Sequence, residues 1–309
     1  MKQQLKRVVE VTDVSIESSI MHLAREASIE INTQDLKELD SAQALLRRGT
    51  KILITFLPNQ SWSESEAACR VLKQMGFTPI PHIPVRLLSD ASMLDRVFAG
   101  LVHKGQAEEV LLLSGDYSHA LGPYTCVEDV LRTGVLNKFG LRRVSFAGHP
   151  EGHPRVSIEE IRRSERAKAL SAAAAGLEVS IMTQFFFEGS PFLRWTNEMR
   201  SSGVQARLVG GLVGPTKLST LFRFAVRCGA GPSIHALGAR PSVFTKLLTE
   251  HSPQNVLREL AEARDMARAD FDGIHMFCFG GFLRTCAWLH RVANGEFTSN
   301  QASGFDTRA

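Results

Sequence analysis

The chain has 309 residues, of which 44% are hydrophobic and 22% charged, and its formal net charge is +4. That is the ordinary balance of a cytosolic globular protein with enough apolar material for a sizeable core. Lys and Arg are interspersed with Asp and Glu, so there is no electrostatic footprint for nucleic acid, although an anionic small molecule would be welcome. No stretch approaches the roughly 20 apolar residues that span a bilayer. The start, MKQQLKRVVEVTD, has no apolar signal core, so a cytoplasmic, membrane-free protein is expected. The five cysteines show no CxxC spacing, and Cys278 and Cys286 sit among apolar neighbours as small buried hydrophobes.

Short apolar, β-branched runs recur along the chain. They are VSIE (14–17), KILITF (51–56), TPIPHI (78–83), EVLLLSG (109–115), RVSFAG (143–148), VSIMTQFFF (179–187), ARLVGG (206–211) and GIHMF (273–277). Between them lie segments of helical character such as SESEAACRVLKQMG, DASMLDRVFAGLVHKG and RAKALSAAAAG, each closing on a glycine. Regular alternation implies parallel strands joined by right-handed crossovers, and eight units close a barrel. The expected architecture is one α/β domain over 1–309, a (β/α)8 TIM barrel, with a frayed polar tail over about 295–309. An open doubly wound sheet would want a Gly-rich turn after the first strand, and VSIESS has none.

In such a barrel the C-terminal strand ends carry the chemistry. The polar residues there are Glu17, Thr55, His82, Asp116, the segment His149–His153, and Gln184. Gly115 in SGD permits close backbone approach, leaving Asp116 free to cap or to bind. GHPEGHP has the imidazoles of a metal cluster, but Pro150 and Pro154 oppose a helix and only Glu151 stands near, so no metal is expected. Gln184 in TQFFF is costly to bury without a bonding partner. No strand ends in a lysine, which leaves a Schiff-base aldolase without its nucleophile.

In order, VSIE, a strand ending in Thr, PHI, SGD, AGHPEGHP and TQFFF resemble the catalytic barrel of the methylenetetrahydrofolate reductase family over about residues 14–290. The family pattern reads Ser-Phe-Glu, a Thr-ending strand, Pro-His, Arg-Gly-Asp, Gly-Tyr-Pro-Glu-x-His-Pro and Thr-Gln-Phe-Phe-Phe-Asp. The resemblance implies an FAD flavoprotein that reduces 5,10-methylenetetrahydrofolate to 5-methyltetrahydrofolate with NAD(P)H, or runs the reverse reaction. It puts Glu17 at the general acid and Asp116 at the carboxylate facing the pterin, with Gln184, Phe186 and Leu218 on the folate side. Thr55, His82, Ser114, Gly115, Tyr124, His149 and His153 fall where the family grips FAD.

Departures are visible. His149 stands where the family has Tyr, Ser114 where it has Arg, Leu218 where it has Phe, and Gly281 near a usual Arg. An Ala run at 172–175 replaces the basic pair at the FAD phosphates, so Arg162, Arg163, Arg166 and Lys168 are expected to substitute. Glu17 lacks the Phe-Phe-Pro-Pro that usually follows. The alternative is a divergent, flavin-poor folate-binding relative that serves a methyltransferase as an accessory partner. Folate and NAD(P)H are the expected partners, and assembly into a homo-oligomer is compatible with the sequence.

Overall fold

The tripeptide Ser-Ile-Glu occurs twice near the start, at 15–17 and at 28–30, and the second copy is the strand. The computed structural model describes residues 16–115, 117–217, 250–251, 253–279, 281–300 and 304–307. Asp116 and Leu218 therefore lie outside the described residues. Residues 16–25 are helix α1, not the expected first strand. Ile16, Ile20, Leu23 and Ala24 recur at helical spacing and are all buried, and this longer period outweighs the short β-branched run. Strand β1 is Ser28–Ile31, in which Ile29 and Ile31 face the helical layer.

The chain then alternates as expected. β2 (Lys51–Ile54), α3 (Trp62–Gln74), β3 (Thr78–Pro84), α4 (Ala91–Ala99) and β4 (Glu109–Leu113) follow the short helix α2 (Leu39–Gln43). Next come α5 (Val127–Arg132), α6 (Val135–Lys138), β5 (Arg143–Gly148), α7 (Ile158–Ala174), β6 (Glu178–Phe185), α8 (Gly189–Ser201) and β7 (Arg207–Val213). Two-residue strands β8 (Thr216–Lys217) and β9 (Glu250–His251) pair antiparallel outside the barrel. Helix α9 (Gln254–Asp265), strand β10 (Gly273–Phe277) and helix α10 (Phe282–Ala293) complete it. The eight strands form a closed, wholly parallel barrel in the order β1-β10-β7-β6-β5-β4-β3-β2. Among the described residues no helix is long and apolar enough to cross a membrane.

Part of the tail expected to fray is ordered. β11 (Phe297–Ser299) and β12 (Phe305–Thr307) form an antiparallel hairpin. Phe297 and Phe305 are buried with ring centroids 4.8 Å apart, and Phe305 stacks on Trp288 of α10. Two aromatic side chains hold down a segment whose average polarity reads as a loose end.

Alternation along the strands layers the barrel interior. At the N-terminal end Lys51 Nζ meets Glu109 Oε2 at 2.8 Å, and Ser145 Oγ donates to Glu109 Oε1 at 2.7 Å. Above them Leu53, Ile80, Leu111, Met182 and Val209 fill the axis as a separate apolar cluster. Glu109 is fully buried, so its charge depends on Lys51. Lys51→Met should destabilise the protein by about 3 kcal/mol, the low end for a buried pair because the lysine reaches solvent. Replacing Glu109 by Gln in the same chain should recover much of that loss. Urea denaturation midpoints of the three proteins check both expectations.

Candidate functional site

Above the apolar plug, the interior turns polar. Glu30 on β1 points inward, and its Oε2 lies 3.7 Å from His82 Nε2 on β3 and 3.9 Å from His275 Nε2 on β10. Burial pushes the Glu30 carboxyl upward. The facing His275 and His82 imidazoles and the Thr55 hydroxyl outweigh it and hold the group below its usual range. Burial, opposed by Glu30, drives the His82 imidazole down, so it is neutral near pH 7. Both Nε2 atoms are buried, and among the described residues neither has a partner within ordinary hydrogen-bond distance. A carboxylate and two unsatisfied imidazole nitrogens thus converge at the floor of the mouth.

Glu30 and His275 were not expected from the sequence. The first was hidden by the duplicate Ser-Ile-Glu, the second by a strand that reads as continuous core. By contrast, Glu17 sits on the outer surface of α1 and accepts from Ser299 Oγ at 2.8 Å. It cannot be the acid at the end of the first strand, because that strand begins only at Ser28.

Beside this floor the mouth is aromatic. Phe185 packs edge-on against Phe277 and Phe279, with centroids 5.5 and 5.1 Å away, and Phe277 lies 4.9 Å from His275. The β6–β7 register shifts between Met182 and Phe185. There Thr183 Oγ1 accepts from Gly211 N at 2.8 Å. This bulge moves the inward position from 186 to 185. Phe186, expected on the folate side, turns outward and stacks on Phe192 of α8 at 5.0 Å. Gln184 lies at the rim with the β5–α7 loop, and its Oε1 accepts from Phe185 N at 3.1 Å.

The β5–α7 loop carries His149 and His153, whose rings meet edge to face at 5.9 Å. Its anchor is Glu165 of α7, buried and unforeseen from the sequence. It accepts from His149 N at 2.6 Å, from Trp195 Nε1 at 2.9 Å and from Arg162 at 3.1 Å. Arg162 also caps the carbonyls of His149 and Pro150. Burial, with Lys168, His153 and Arg162 nearby, takes the His149 imidazole down to about 4, so it is neutral.

The cations expected at the FAD phosphates do not form one patch. Arg163 is exposed, and Arg166 lines a shallow groove with Glu198 and Ser201 of α8. Lys168 lies 5.9 Å over the Phe146 ring, where burial lowers its basicity against the pull of Glu128 and Glu165. Successive residues of a helix point about 100° apart, so one cationic stretch faces three ways. On the β4 side, Gly115 has φ +87°, and a Cβ there would meet the Tyr117 ring at 2.8 Å. Ser114 stands with it at the end of β4, where its carbonyl accepts from Arg86 N at 3.4 Å. Arg86 straps this loop by donating to the carbonyls of Tyr117 and Thr125. Tyr124 is buried against α4, its phenol pushed up by burial and by Asp90 and Asp95.

These features define a barrel whose mouth joins a carboxylate–imidazole floor to an aromatic wall. No sequence model of a known family matches the chain. Over part of its length it is similar in sequence to methylenetetrahydrofolate reductases. It is 27% identical over 135 residues to methylenetetrahydrofolate reductase (NADH) 1 of Arabidopsis thaliana, covering 39% of this chain and 22% of that protein. It is 23% identical over 142 residues to methylenetetrahydrofolate reductase 2 of Saccharomyces cerevisiae, covering 43% and 23%. The matched segments span under a quarter of either relative. Among solved structures, a Clostridium thermocellum protein that binds two copies of 5-methyl-5,6,7,8-tetrahydrofolic acid superposes with a TM-score of 0.56 at 10% identity, covering 90% of this chain and 98% of that one. A chitinase from Rhizomucor miehei reaches 0.52 at 11% identity, covering 86% and 99%. At such identities the likeness is one of fold.

Gly211 lets the bulge form. A Cβ there would come 2.5 Å from the Thr183 carbonyl and 2.9 Å from that of Gln184. Gly211→Ala should cost about 1–3 kcal/mol by overpacking. Denaturation midpoints of the variant and the parent measure the effect.

Proposed function

We propose that the protein interconverts 5,10-methylenetetrahydrofolate and 5-methyltetrahydrofolate, with NAD(P)H as the electron donor in the reducing direction. The observation that carries this reading is Glu30, a half-buried carboxylate on β1 facing two imidazoles and Thr55. Ser28-Ile29-Glu30 takes the place that the resemblance gives to Ser-Phe-Glu. The partial relationship to the reductases supports the same reaction class.

Reduction opens a five-membered ring, and the departing nitrogen must gain a proton as the iminium forms. Glu30 is the group to give it, and in the reverse direction to take it back. Held ionised by its neighbours, Glu30 is set as an acceptor. Asp116 is assigned to the pterin edge, which a carboxylate can bind by accepting two N–H bonds. Gln184 and the Phe185–Phe277–Phe279 wall would hold the flat ring system.

FAD is the hydride carrier that the resemblance implies. The residues expected at its diphosphate face apart, so they do not fit that group as a cradle. Thr55, His82, His149 and His153 remain around the mouth. Proton management rests on Glu30 in either case. The same dispersal favours a second reading, in which the chain binds folate without flavin. The visible spectrum of the purified protein, followed by anaerobic NADH and then methylene-folate, separates the two. A flavin spectrum bleached by NADH supports the FAD enzyme; a colourless protein that binds folate without turnover supports the second.

Glu30→Gln keeps the shape but cannot transfer a proton, so folate turnover should fall by about 10²–10⁴-fold. Glu17→Gln, on the outer surface, should stay within about a factor of three of the parent. Steady-state assays of both variants check this, and the opposite ranking would return the acid to Glu17. Because the Glu30 carboxyl is held low, its protonated fraction falls about tenfold per pH unit across the neutral range. Methylene-folate reduction should therefore slow as pH rises from about 6 to 8, while methyl-folate oxidation stays level. Initial rates in both directions over that range measure it.

A further inference from the structure

Ser28 and His275 meet inside the barrel where β1 pairs with β10. Ser28 Oγ lies 2.9 Å from His275 Nδ1, and both side chains are almost wholly buried. The other nitrogen of that ring, Nε2, faces Glu30 Oε2 at 3.9 Å and has no closer hydrogen-bond partner among the described residues. A neutral imidazole carries its proton on one nitrogen, and the bond made at the other decides which. A hydroxyl can donate or accept, so Ser28 alone is compatible with either tautomer. The far side of the ring settles the matter. An Nε2–H directed at a carboxylate is attractive, whereas a lone pair directed there is repulsive. The consistent chain runs from Ser28 O–H to Nδ1 and from Nε2–H towards Glu30.

We infer that Ser28 is a positioning residue that holds His275 in its Nε2–H tautomer and so sets how readily Glu30 takes up and releases its proton. This rests on the assignment of Glu30 as the proton-transfer group. Only a proton moves in the step itself, between the Glu30 carboxyl and the folate nitrogen. Ser28 and His275 keep theirs. The groups facing Glu30 are Thr55 from β2, His82 from β3 and His275 from β10. Asp35, in the turn after β1, and Cys278, just after β10, also feel its charge. Of these, only His275 is held from behind by Ser28.

Ser28→Ala removes the donor to Nδ1 and frees the ring to place its proton there. An N–H facing Glu30 is then replaced by a lone pair, which disfavours the charged carboxylate, so its proton affinity should rise. The expected shift is about one pKa unit, a tenfold change equivalent to about 1.4 kcal/mol. Ser28→Thr keeps the hydroxyl and should restore both tautomer and titration. The test is long-range 1H–15N NMR of histidine-labelled protein and 13C titration of glutamate carboxyls, in the parent and both variants, with melting temperatures as the control for folding. Support requires His275 as Nε2–H in the parent, Nδ1–H in Ser28→Ala, and a Glu30 titration displaced upward in that variant alone. An Nδ1–H ring in the parent, a tautomer indifferent to Ser28→Ala, or an unmoved Glu30 titration overturns the inference. Since neither measurement requires turnover, a protein that passes them yet leaves methylene-folate unchanged would refute the proposed reaction and uphold the role of Ser28. In an active enzyme the pH profile of folate reduction should move upward by the same unit in Ser28→Ala.

Discussion

The closing seam of the barrel is β1, four residues wedged between β2 and β10. A parallel barrel has no spare edge, so the register of this strand fixes which of its side chains face the axis. With Ser28 paired to His275 and Ile29 to Ile52, the isoleucines go to the helical layer while Ser28 and Glu30 go inside. A slip of one residue would exchange them, burying two isoleucines on the axis and leaving a carboxylate among apolar helices. Burial of Ile29 and Ile31 therefore enforces the position of Glu30. The energy that closes the fold and the geometry that builds the site come from the same four residues.

Two charged layers lie within this one cylinder, and they are satisfied differently. At the N-terminal end Glu109 has an ion pair with Lys51 and a hydroxyl from Ser145, which uses both carboxylate oxygens. At the C-terminal end Glu30 faces two imidazole nitrogens at distances too long for good hydrogen bonds. The five apolar side chains between them keep the layers apart. A fully paired carboxylate is inert, whereas an incompletely paired one retains capacity for a ligand's proton. The two ends of one cylinder thus differ in how completely their carboxylates are paired.

Much of this was legible in the sequence, because parallel strands buried on both faces read as apolar runs and their spacing counts the units. Seven of the eight barrel strands stand close to where those runs lie. What failed were features decided by tertiary context. Two Ser-Ile-Glu copies are locally alike, and only the helical spacing of Ile16, Ile20 and Leu23 separates them. The bulge before Phe185 depends on Thr183 meeting Gly211 of the neighbouring strand, which strict alternation cannot foresee. The inward glutamate of α7 resembles any helical Glu until Trp195 and the His149 amide are found against it. His82 and Thr55 were readable, because a polar residue that closes an apolar strand of a parallel barrel stands at the mouth.

Glu165 completes the logic of the mouth from the other side. Like Glu109 it is a buried glutamate, and its acceptors are consumed by an amide, an indole and a guanidinium. Arg162 turns inward onto the carbonyls of His149 and Pro150 and pairs with Glu165 and Glu198, so its charge is already committed. The loop is thereby pinned from beneath while His149, neutral through burial, faces the rim. A rigid loop carrying an uncharged imidazole suits an aromatic or amide edge better than a phosphate, which wants exposed cations or free backbone amides. The side of the mouth that the sequence nominated for an anion thus presents an uncharged imidazole in place of a cation.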